Sequence, residues 1–114
     1  MKRITIKQGD QYSIPIHIKV NGSVLSADHA DAVEFMLGQL RKMWYASEDL
    51  TGDVTYADGT FFFPLTQEET LAMPAGITLP LDVRILFAGG SVIGNKTVPI
   101  AMISVADAIS QEVL

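Results

Sequence analysis

The segment from residue 11 to residue 20 constrains the fold more than any other part of the chain. Its apolar side chains occupy every second position: Tyr12, Ile14, Ile16, Ile18 and Val20. A period of two places them on one face of a β-strand. Pro15 lies on the opposite face and has no N–H to donate, so the pattern predicts a half-buried strand at a sheet edge. Asn21-Gly22 follows and predicts a turn, because both residues tolerate a positive φ.

Similar alternation recurs along the chain and predicts further strands. These segments are Ile4 to Ile6, Val33 to Leu40, Val54 to Tyr56, Thr60 to Phe63, Ile77 to Phe87 and a return segment that begins at Val92. Asp58-Gly59 predicts a hairpin, and Gly89-Gly90 predicts the turn before the return segment. In that last segment Val98, Ile100 and Met102 compete with Ile103 and Val105 for the inward face. The conflict predicts a bulge or a strand buried on both faces.

Residues 31 to 45 fit two templates. Val33, Phe35 and Leu37 alternate as in a strand, while the wider set of apolar residues also fits helical spacing. We favour a strand through Leu40, because Gly38 costs a helix about 1 kcal/mol and β-branched and aromatic residues suit sheets. Trp44 and Tyr45 then fall in a loop. The helix remains the alternative.

One short helix is expected, and the rest of the chain is predicted to be all-β. Thr66-Gln67-Glu68-Glu69 matches a capping box, and Pro74 stops the helix that follows. About seven short strands without long helices for parallel crossovers favour an antiparallel, immunoglobulin-like β-sandwich. We expect one domain over residues 1–106, followed by a tail at 107–114 that orders only by docking.

The composition limits the chemistry of this chain and its partners. The 114 residues contain no cysteine, which excludes disulfides and cysteine nucleophiles. Thirteen acidic and eight basic residues give a net charge of −5 without a basic cluster, so no nucleic-acid partner is expected. No apolar run approaches the roughly 20 residues that span a bilayer, and the N-terminus alternates instead of forming a signal peptide. These features predict a cytoplasmically made protein without a membrane partner.

The shortage of charge predicts contact with another protein. Charged residues make up 18% of the chain, against a typical value of about 25%, and 48% are apolar. A well-filled monomer core is the alternative explanation. Five aromatic residues are the predicted partner surface: Phe61, Phe62, Phe63, Trp44 and Tyr45. Three consecutive phenylalanines on a strand cannot share one face, so Phe62 or the other two lie outside the main core.

The polar residues predict no catalytic, cofactor or metal site. His17 and His29 lie on different elements, so a metal site completed by Asp28 or Asp31 is less favoured than solvated histidines. Adjacent Glu68 and Glu69 point in different directions, and the capping box accounts for Glu69. Asp82 and Arg84 share a strand face and are expected to form a surface ion pair. Gly89 to Gly94 lacks the lysine and helix of a phosphate loop.

The order of these segments resembles a known group of modules. Gln8-Gly9-Asp10 opens an alternating strand, Thr66 to Thr70 precedes Pro74-Ala75-Gly76, and Leu81 to Ile85 precedes a closing strand through Ile103 to Val105. This pattern is similar to the immunoglobulin-like structural modules of tailed phages and prophages, notably the N-terminal domain of baseplate upper proteins. The resemblance implies a non-enzymatic virion protein of the tail or baseplate. Its implied partners are other phage structural subunits and further copies of itself.

A second class of function stays open from the sequence. A carbohydrate-binding sandwich could use Trp44, Tyr45 and Tyr56 to stack on a sugar. An enzyme is disfavoured, because no base, nucleophile and orienting group converge in the pattern.

Overall fold

The computed structural model describes residues 2–95 and 99–114, and within them the chain forms eleven strands, one α-helix and one 3-10 turn at Ala27–His29. The strands are β1 (Lys2–Lys7), β2 (Tyr12–Ile16), β3 (Lys19–Val20), β4 (Ser23–Val24), β5 (Ala30–Leu37), β6 (Leu40–Tyr45), β7 (Thr55–Ala57), β8 (Thr60–Leu65), β9 (Thr78–Phe87), β10 (Val92–Gly94) and β11 (Ala101–Ala106). The helix α1 spans Gln67–Ala72.

Two sheets enclose the core. The larger sheet has the order β1-β11-β9-β5-β6, with β10 also beside β9, and the smaller sheet has the order β2-β8-β7. Phe35 on β5 packs between the sheets, with its ring centroid 5.7 Å from that of Phe61 and 5.9 Å from that of Phe63, both on β8. The predicted all-β sandwich is therefore confirmed. A separate two-stranded ribbon joins β3 and β4.

One strand pair departs from the predicted antiparallel arrangement. β1 and β11 run parallel, with Ile4 opposite Ile103, while the remaining pairs between described strands are antiparallel. Because β10 and β11 both flank β9, they act as one interrupted neighbour of that strand. When β10 and β11 are counted as one strand, the order β11-β9-β5-β6 corresponds to strands G, F, C and C′ of immunoglobulin-like sandwiches. The order β2-β8-β7 corresponds to their strands B, E and D.

The segment from residue 11 to residue 20 is split in two. β2 is an edge strand of the smaller sheet, with Pro15 opposite Phe62, so the predicted edge position is confirmed. The predicted continuous strand is wrong, because pairing with β8 ends at Ile16. The Ile18 carbonyl instead accepts a hydrogen bond from the Leu25 amide at 2.7 Å. Ile14, Ile16 and Ile18 nevertheless all face the core as predicted.

Residues 30 to 45 form a hairpin, which settles the ambiguity in favour of β structure. The alternative prediction of a helix is wrong, and the strand ends at Leu37 rather than at Leu40. Gly38 has a φ of 60°, which suits the first position of a two-residue hairpin turn. Trp44 and Tyr45 therefore lie in strand β6 and not in a loop.

Local turn and cap signals are confirmed. Asn21 and Asp58 have φ angles of 51° and 47°, and each precedes a glycine of positive φ in its hairpin. The capping box is present, with the Thr66 hydroxyl accepting from the Glu69 amide and the Glu69 carboxylate accepting from the Thr66 amide. The return from β9 begins with β10 after the Gly89-Gly90 turn, as expected.

The inward face of the closing strand is also settled. Ala101, Ile103 and Val105 are buried, whereas Met102 is half-buried on the opposite side. The predicted role of Val98 lies outside the described residues. Beyond Ala106 the chain has no helix or strand, but it docks on its own domain. The Ala108 amide donates to Gln8, and the Leu114 amide donates to Gln67, the first residue of α1.

Candidate functional site

The predicted partner surface of five aromatic residues is divided by the pleat of β8 and β6. Phe61 and Phe63 are completely buried, so the structure corrects their assignment to the surface, while Phe62 points outward and is half-buried. The physical reason is that β8 faces β5 across the core, and a period of two sends both flanking phenylalanines inward.

Trp44 is also a core residue and not a surface residue. It is 7% exposed, and its ring centroid lies 5.3 Å from Phe61 and 5.8 Å from Tyr56. Tyr45, the next residue of β6, points to the opposite side of the sheet. Trp44 and Tyr45 therefore do not present their rings side by side on one face. Both nevertheless line an open cleft of about 330 Å³ together with Tyr56, so the carbohydrate-binding alternative stays a prediction.

Tyr45 belongs to the side of the larger sheet that points away from the core, which we call the outer face. A shallow groove of about 320 Å³ crosses this face over β5, β6, β9 and β10. Its apolar lining consists of Ala32, Met43, Tyr45, Leu86 and Val92. Leu86 is 36% exposed and Val92 is 59% exposed. Antiparallel sheets usually turn polar side chains to water, so this apolar lining is the most unusual feature of the face.

Three charged residues lie at the centre of the groove. Glu34 on β5 accepts from Arg84 Nε at 2.7 Å and Arg84 Nη2 at 3.0 Å, and from Arg41 Nε at 2.6 Å. The register explains the contact, because Glu34 stands directly opposite Arg84 in the β5–β9 pair. The two hydrogen bonds from Arg84, followed by the one from Arg41, lower the pKa of Glu34 to about 2. Glu34 is therefore ionised across the physiological range.

This arrangement overturns the expected ion pair between Asp82 and Arg84. Arg84 pairs with Glu34, and Asp82 instead accepts a hydrogen bond from Asn95 Nδ2 at 2.9 Å. Directly opposed residues on neighbouring strands lie closer than residues two apart on one strand, so the cross-strand partner prevails.

The lowered pKa predicts a loss of stability in acid. The folded pKa of Glu34 lies below its unfolded value, so its contribution is complete above about pH 5 and disappears as the pH falls through 4.5 towards 2. Since both arginines are more than half exposed, we expect only about 1 kcal/mol. Urea unfolding of the wild type and of Glu34→Gln from pH 2 to 7 measures this difference. A constant difference across that range would contradict the assignment.

A separate ion pair, which the sequence did not reveal, joins β6 to α1. Lys42 is 5% exposed, and its Nζ donates to the Pro64 carbonyl at 2.6 Å and to Glu69 Oε1 at 2.7 Å. Burial acts to raise the pKa of Glu69, but the hydrogen bonds from Lys42 and Thr66 outweigh it and lower that pKa. The sequence offered one indication of this burial: Lys42 lies two residues before Trp44 on the same strand, so both side chains point to the core. This pair anchors the helix.

A further cleft lies beside α1 and is mainly apolar. An apolar groove of about 550 Å³ lies between the β5–β6 turn and α1, lined mainly by Leu37, Leu40, Met73, Ile77 and Leu79. Exposed His17 has Nε2 3.0 Å from the Thr60 hydroxyl. Within residues 2–95 and 99–114, no three His, Cys, Asp or Glu side chains are grouped to hold a metal ion. No helix in that part of the chain has the length and apolarity to cross a membrane.

The outer face is thus the strongest candidate for a functional site, since it combines apolar exposure with exposed charge. Comparisons with known proteins add no assignment to it. No protein-family model matches the chain, and no curated protein and no solved structure shows significant similarity to it.

Proposed function

We propose that this protein is a non-enzymatic structural subunit of a phage or prophage virion, part of the tail or baseplate, that assembles with other subunits through protein contacts. The observation that carries the proposal is the outer face, where exposed Leu86 and Val92 adjoin the two arginines. Contiguous apolar surface of this kind is typical of a protein interface. The resemblance of the segment order to phage modules supports the virion setting.

The state of the charged groups supports a binding role over catalysis. Glu34 is held ionised by two arginines, and Lys42 is held by Glu69 and a backbone carbonyl. Groups tied into stable pairs stabilise a surface or anchor an element, whereas a general base needs a pKa near the working pH.

The virion role is tested on purified particles. Mass spectrometry of particles purified from an induced host should find the full chain in a constant ratio to the other tail proteins. A chain that remains entirely in the soluble fraction of the lysate would overturn the proposal.

Assembly through the outer face is tested with a paired variant. Val92→Glu places a charge among the apolar residues of the face and should reduce incorporation into particles at least about tenfold. Leu50→Glu is the matched control, because Leu50 is 56% exposed and lies outside the groove of the outer face. Equal incorporation of both variants would exclude the outer face as the contact.

A further inference from the structure

Charge is distributed unevenly over this acidic protein. The groove of the outer face is lined by two basic residues, Arg41 and Arg84, and one acidic residue, Glu34. Two minus one gives a net charge of +1 at the groove, whereas the whole chain has −5. The groove is therefore electropositive on a negatively charged molecule, which favours an anionic partner there.

Arg41 and Arg84 have more N–H donors than those that bind Glu34. Within the part of the chain that the structure describes, three of their N–H groups are engaged, all with Glu34. The side chains of Arg41 and Arg84 are 55% and 62% exposed. Because each guanidinium offers five N–H donors in a planar fork, most of these donors face solvent beside the groove. Such forks bind carboxylates in a bidentate manner.

The side chains around the two arginines are apolar, and this limits the kinds of anionic partner that would fit the groove. Tyr45, Leu86 and Val92 lie within the same groove. A free phosphate or a polyanionic chain would leave these side chains uncovered, whereas a polypeptide can supply a carboxylate and aliphatic groups together.

On these grounds we infer that the outer face binds an acidic segment of a different protein. Its Asp or Glu carboxylate accepts from the N–H groups of Arg41 and Arg84 that point away from Glu34, and its aliphatic side chains cover Leu86 and Val92. This inference rests on the proposed function and adds the chemistry of the partner to it.

A second copy docked face to face is a poorer occupant. Two-fold pairing brings the same patch of both molecules together. The shared interface would therefore hold four guanidiniums and two Glu34 carboxylates from the two grooves, a net positive charge. Like charges brought together in a desolvated interface are destabilising, so the charge pattern favours a partner that differs from this chain.

The inference is tested with displayed peptides on the full chain. Short random peptides are selected by mRNA display on the wild type, and enriched sequences are synthesised and measured by calorimetry. We expect them to combine Asp or Glu with Ile, Leu, Val or Phe. Binding to the double variant Arg41→Gln/Arg84→Gln should be at least about tenfold weaker, because it removes both charged donors. The matched control Lys2→Gln/Lys19→Gln removes the same charge from exposed positions off the groove and should bind as the wild type does.

Three outcomes would overturn the inference: no enrichment, enrichment of peptides without acidic residues, or equal binding to the arginine double variant. A wild-type dimer in sedimentation that Val92→Glu dissociates would also overturn it, because a second copy would then occupy the outer face. Circular dichroism melts of each variant ensure that a loss of binding is not a loss of folding. Failure here leaves detection of the chain in purified particles unaffected, so this result and the virion proposal are separable.

Discussion

Phe61→Ala is expected to destabilise the domain by about 3–5 kcal/mol, the usual cost of removing a buried phenylalanine ring. Phe61 is fully buried and contacts the rings of Phe35, Trp44 and Tyr56, with centroid distances of 5.7, 5.3 and 4.8 Å. The substitution leaves a cavity at the point where β8 meets β5 and β6. Urea unfolding followed by tryptophan fluorescence measures the change in the free energy of unfolding.

Phe62→Ala is the matched control for this prediction. The same atoms are removed one residue along β8, where the side chain points outward, so we expect a loss below about 1.5 kcal/mol. Equal losses for the two variants would show that the face assignment of β8 is wrong. That outcome would also return Phe61 and Phe63 to the list of candidate partner residues.

Lys42→Ala is expected to destabilise the domain by about 2–4 kcal/mol. The change removes a buried cation, so the Pro64 carbonyl loses its donor and the Glu69 carboxylate loses its ion pair. Glu69 retains some solvent contact, which holds the cost below that of a fully buried pair. Chemical denaturation at pH 7 measures the loss, and exposed Lys19→Ala should change stability by less than about 0.5 kcal/mol.

Lys42→Met separates packing from hydrogen bonding at this position. Methionine restores most of the apolar stem without the ammonium group, so we expect a stability between those of the alanine variant and the wild type. A methionine variant as stable as the wild type would mean that the pair with Glu69 adds nothing and that packing alone accounts for the loss.

Several parts of the fold could be predicted because their causes are local. The hairpins at Asn21-Gly22 and Asp58-Gly59 depend on which residues accept a positive φ. The helix start at Thr66 depends on a side chain three residues away. The alternation in β9 specified its inward residues correctly, since a pleated strand sends successive side chains to opposite faces.

Other parts could not be predicted, because they depend on residues far apart in the chain. Nothing in the local pattern of β1 selects β11 as its parallel partner. The alternation in β6 gives Lys42 an inward phase, but the acceptors that make its burial tolerable lie on β8 and α1. The turn at Gly38 is a local feature that was missed for another reason: the predicted strand was extended through Leu40.

In the candidate site, too, one part could be predicted from the sequence and another part depended on distant residues. The charge shortage of the chain predicted a protein partner, and Tyr45 was among the residues proposed to meet it. The contact of Glu34 with Arg41 and Arg84 was not predicted, because it depends on the register of three strands. A register is chosen by the whole buried face of a strand and not by its polar residues.

The sequence by itself therefore determined an all-β chain, its hairpin turns and helix cap, and a composition poor in charge. These follow from backbone preferences and composition, which act within a few residues or over the chain as a whole. The tertiary structure alone decided that Phe61, Phe63 and Trp44 fill the core while Leu86, Val92 and two arginines form the outer face. The physical reason is that sheet pairing joins distant segments, and only the paired strands define which side chains share a surface.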